Sequence, residues 1–114
     1  MTLEEFENWL SDKDIKKIPI NTKNSIEYYC CGHLALELKR NYYGKWILTV
    51  FRLVKWYDYE ISSAIAMCKE LNEFDIKDLD YYFDAYIRQA NFLEIYMKKQ
   101  KIHKKKQDLS KDFS

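Results

Sequence analysis

The chain has 114 residues, 47% of them apolar and 17% aromatic, enough for one continuous core and too many for wholesale disorder. Two glycines and one proline are too few for a fold built on many tight turns, which argues against a small β-sandwich or barrel and for long helices with short polar connections. The net charge of +1 is split. From Lys98 onward seven lysines face two aspartates, a net of +5, while the first 97 residues hold twelve basic and sixteen acidic side chains, a net of −4.

Thr2 and Glu5 make a capping box, and Leu3, Phe6, Trp9 and Leu10 follow at helical spacing, so a first helix is expected to end near Ser11–Asp12. A polar connector through Pro19 to Lys23 follows, since proline is excluded from a helix interior. Asn24 with Glu27 reads as a second cap. Tyr28, Cys31, Ala35, Leu38 and Tyr42 then step by three and four, and Gly44 can close that helix in the left-handed conformation. From Lys45 to Tyr57 a third helix is expected, with Ile47, Val50, Phe51, Val54 and Tyr57 on one side. That stretch is rich in β-branched and aromatic residues. The alternative is a β-hairpin around residues 34–54, pairing Leu34–Arg40 with Trp46–Val54 about the turn Asn41–Lys45.

Asp58 is placed to cap a fourth helix carrying Ile61, Ala64, Ile65, Cys68 and Leu71, and Asp75 to cap a fifth from about Ile76. Phe74 and Leu79 stand at the positions of a hydrophobic staple around that last cap. The expected fold is therefore all-α, a compact bundle of about five helices over residues 1–97, with 98–114 a basic, frayed or disordered tail. The hairpin alternative would make it α+β.

The fifth helix carries the most functional information. Leu79, Phe83, Tyr86, Ala90, Leu93 and Met97 form a packing seam, while Tyr81, Ala85, Phe92 and Tyr96, interrupted by Arg88, form a second apolar face. Either the helix is central to the bundle or the second face meets a partner. Tyr81, Asp84, Arg88, Phe92 and Tyr96 are the candidate contacts, with Asp84 four residues before Arg88 and able to pair with it. Ten tyrosines in near-consecutive pairs add further exposed aromatic area.

Catalysis is not expected. His33 and His103 are the only histidines and His103 sits inside the lysine run, and Gly32 and Gly44 cannot make a phosphate loop. Cys30, Cys31, His33 and Cys68 lack the paired spacing of a structural zinc site, so neither metal nor cofactor is expected. Three cysteines, two of them adjacent, suit a reducing compartment. No signal peptide or membrane span is visible, so a cytoplasmic location is expected.

These features favour a small non-catalytic protein-binding protein, of the inhibitor or immunity type that masks a toxin, nuclease or other effector. An acidic body suits a partner with a basic cleft. The alternative is a nucleic-acid-binding regulator whose Lys98, Lys99, Lys101, Lys104, Lys105 and Lys106 contact phosphates, the body serving for dimerisation. Against a helix-turn-helix, Asp75, Asp78 and Asp80 crowd the start of the helix that would have to meet DNA.

Overall fold

The computed structural model describes residues 1–19, 24–56 and 60–93. Its centre is a five-stranded antiparallel sheet, not a helical bundle. The chain runs α1 (Leu3–Leu10), β1 (Lys16–Pro19), β2 (Ser25–Cys30), β3 (His33–Arg40), β4 (Trp46–Trp56), β5 (Glu60–Glu70), a short 3₁₀ turn (Leu71–Glu73), and α2, described over residues 76–93. The strands lie in chain order β1-β2-β3-β4-β5, a meander in which every connection joins neighbours. The fold is α+β, and the all-α expectation is wrong in its middle three helices.

The two outer helices form as their sequences dictate. Thr2 accepts from the Glu5 amide while the Glu5 carboxylate accepts from the Thr2 amide, so the capping box closes. At the second helix the Asp75 carboxylate accepts from the Asp78 amide at 2.8 Å and the Asp78 carboxylate accepts from the Asp75 amide at 3.2 Å. Phe74 and Leu79 are both buried, as a staple requires.

The residues expected to form the second helix instead make β2 and β3. Cys31 and Gly32 sit between them at φ +58° and +80°, the double left-handed conformation of a two-residue hairpin turn. The β3–β4 hairpin is the alternative reading of residues 34–54. Gly44, at φ +74°, closes its loop, not a helix. The Asn41 carboxamide oxygen accepts from the Tyr43 and Lys45 amides, and the Asn41 carbonyl accepts from the Gly44 amide, which tightens the turn. The expected fourth helix is β5. Its proposed cap, Asp58, lies outside the described residues. The expected connector before Lys23 holds β1, which keeps Pro19 at the end of an edge strand, where a missing amide costs least.

Both helices pack on one face of the sheet. Directly paired residues share a face, so Ile26, Leu38 and Leu48 form one row, and Tyr28, Leu36 and Val50 the next. Phe6 of α1, fully buried, meets Tyr28 edge-on at 5.7 Å, and Trp9 meets Phe83 of α2 edge-on at 5.5 Å. The Trp9 indole donates to the Asp80 carboxylate at 2.8 Å, which locks the helices to each other. The Tyr86 hydroxyl lies 2.9 Å from the Cys30 carbonyl and 3.0 Å from that of His33, fastening α2 to the tip of the β2–β3 hairpin.

Candidate functional site: the outer face of the second helix

The seam of α2 points inward as its spacing predicts. Leu79, Tyr86, Ala90 and Leu93 are buried and Phe83 is half-buried, while Met97 lies outside the described residues. The second apolar face is at the surface. Tyr81 is 67% exposed and Phe92 65%, with Asp84, Ala85 and Arg88 exposed between them. At 3.6 residues per turn these five positions fall within an arc of roughly 100°. Four of the five candidate contacts therefore form one continuous strip; the fifth, Tyr96, lies outside the described residues, as do Lys98 to Lys106.

Within the strip, the Arg88 Nε donates to the Asp84 carbonyl at 3.4 Å, not to its carboxylate. The expected four-residue ion pair is replaced by a contact with the helix backbone, and the Asp84 carboxylate stays turned to solvent. Tyr81 rests edge-on against Tyr82, ring centroids 5.4 Å apart, so its ring is held from one side and offered on the other.

The helix under this strip is anchored by Asp80, which accepts from the Trp9 indole, and by Tyr86, whose hydroxyl donates to the Cys30 and His33 carbonyls. Burial pushes the Tyr86 phenol well above the usual tyrosine range, with the neighbouring thiols adding a smaller effect in the same direction. Burial, then Glu7, pushes Tyr28 up to about 12, and burial, then Cys31, pushes Cys30 up to about 12. In all three groups burial is the largest cause of the shift.

Cys30 and Cys31 have their sulfurs 3.6 Å apart at the hairpin tip, and His33 is the cross-strand partner of Cys30. Cys68 lies in the row of Thr49 and Glu37, the face of the sheet away from the helices. The sheet therefore separates Cys68 from Cys30, and among the described residues no group of three or more metal-ligating side chains comes together.

Two surfaces escaped the sequence reading. The sheet face away from the helices carries a groove of about 620 Å³ lined by Asn24, Glu37, Lys39, Arg40, Asn41, Tyr42, Ile47, Thr49 and Cys68. Beside it the hairpin tip holds Tyr42 and Tyr43 almost wholly in solvent. The Asn-Tyr-Tyr-Gly run was the available signal for that tip, since asparagine and glycine mark a turn. The other is an opening between β4 and α2.

No family model, curated protein or solved structure matches the chain. Among the described residues no helix is long and apolar enough to cross a membrane.

Proposed function

We propose that the protein is a small, non-catalytic binding protein of the inhibitor or immunity type, which neutralises an effector by covering it. The observation that carries this reading is the pair of large aromatic side chains, Tyr81 and Phe92, held two-thirds exposed on a firmly anchored helix. Aromatic residues with an arginine between them are the composition of binding hot spots. Anchorage by Trp9–Asp80 and by Tyr86 means that little ordering entropy remains to be lost on association. The excess of carboxylates over the first 97 residues suits a partner with a basic cleft, such as a nuclease.

The test is capture from the source organism with the tagged chain and with the Tyr81→Ser/Phe92→Ser double variant, each before and after nuclease treatment. One stoichiometric protein is expected with the parent chain, resistant to nuclease and lost with the variant. Recovery that collapses on nuclease treatment would transfer the function to the lysine-rich segment. A partner retained undiminished by the double variant would remove the α2 strip from the interface.

A further inference from the structure

Neighbouring side chains of an extended strand point to opposite faces, so adjacent cysteines normally hold their sulfurs apart. Cys31 departs from that. Its backbone is left-handed at φ +58°, a conformation that glycine, asparagine and aspartate take more readily, and its sulfur lies 3.6 Å from that of Cys30. The turn is fixed at both ends, because the Tyr86 hydroxyl bridges the carbonyls of Cys30 and His33 at 2.9 and 3.0 Å. Cys31 is exposed and Cys30 buried, so a ligand can reach the one and be enclosed beside the other.

The spacing restricts what can bridge these thiols. A disulfide is disfavoured, since its Cα atoms usually lie at least about 4.4 Å apart and adjacent ones sit about 3.8 Å apart. Sulfur bonds of about 2.3 Å, the zinc–thiolate length, would separate the sulfurs by roughly 4.6 Å across a linear ion, and match the observed 3.6 Å when they meet at roughly 100°. A structural zinc ion would need four ligands, and among the described residues no third histidine, cysteine or carboxylate joins the pair. We propose that Cys30 and Cys31 form a two-thiol site for trivalent arsenic, whose bent, three-coordinate bonding takes two sulfurs from the protein and keeps one substituent of its own. With arsenous acid, two As–S bonds form and two As–O bonds break. The two thiol protons leave with the two hydroxyls as water, no electron is transferred, and one hydroxyl stays on the arsenic. The product is neutral, which suits a sulfur as buried as that of Cys30. This inference goes beyond the contact assigned to the strip of α2 and uses none of its residues.

The experiment titrates the reduced full chain with phenylarsine oxide, whose phenyl group is the retained substituent, by calorimetry and native mass spectrometry. One adduct per chain is expected, which peptide mapping places on Cys30 and Cys31. Cys68→Ser should bind like the parent, because Cys68 lies on the other face of the sheet. Cys31→Asn keeps a residue suited to the left-handed turn, yet should bind about 100-fold more weakly, since the second thiol no longer acts at high effective concentration. The chain unfolded in urea should lose at least ten-fold, because the turn no longer holds the sulfurs together. Zinc chloride in place of the arsenical should bind more weakly at the pair. Absence of an adduct, equal binding by Cys31→Asn, equal binding by the unfolded chain, or zinc bound at the pair more tightly than the arsenical would each overturn the proposal, and none of them bears on the α2 strip.

Discussion

The two faces of the sheet carry the same kinds of residue in different company. On the face under the helices, Phe6, Tyr28, Leu38, Leu48 and Leu79 are almost wholly removed from water. On the other, Glu27 stands directly opposite Glu37, and Ile65 is 63% exposed one bulge away from Cys68. The lesson is that β-branched and aromatic content alone says nothing about which face becomes the core; two short capped helices decide that by lying down on one side.

The comparison breaks most easily at Phe6. Phe6→Ala should cost about 3–5 kcal/mol in urea unfolding, since it empties a fully buried site between Trp9 and Tyr28. Tyr86→Phe should cost about 1–3 kcal/mol by stripping the hydroxyl from two carbonyls, and should speed amide exchange at the β2–β3 tip before elsewhere. Alkali probes the same face. Tyr28 and Cys30 both titrate higher when folded than their usual 10 and 9, so their contribution to stability is full below those values. It should fall as pH rises from about 9 toward 12, and equilibrium unfolding followed across that range should show the decline. On the open face the signs and sizes change. Glu37→Lys should stabilise by about 0.5 kcal/mol, because it replaces a like-charge cross-strand pair with an opposite one. Ile65→Ala should stay within about 0.5 kcal/mol, the ordinary range of a surface substitution. A large loss at Ile65 would mean that this face is covered in solution and would dissolve the contrast.

Both helix starts were legible because a capping box is written within four residues: Thr2 to Glu5, and Asp75 to Asp78. The exposed strip of α2 was legible for a similar reason, since its seam and its outer face follow from one period. β3 and β5 were misread through two β-bulges. Ala35 has no partner in β2 and Ala66 none in β4. Each inserts one residue into a period of two, so side chains sharing a face become three apart, as Ile65 and Cys68 are. That spacing imitates a helix. The opening between β4 and α2 had no local signal at all, because it depends on which side α2 lies.

Sequence alone therefore determined what short-range chemistry can specify: where the outer helices begin, which of their faces are apolar, and the turn about Asn41 and Gly44 as an alternative. Only the tertiary structure decided that β2, β3, β4 and β5 pair as strands, since their hydrogen bonds are exchanged between segments and not within them. It also decided which surface stays open among the described residues, because a face is exposed there only when no other described element rests on it.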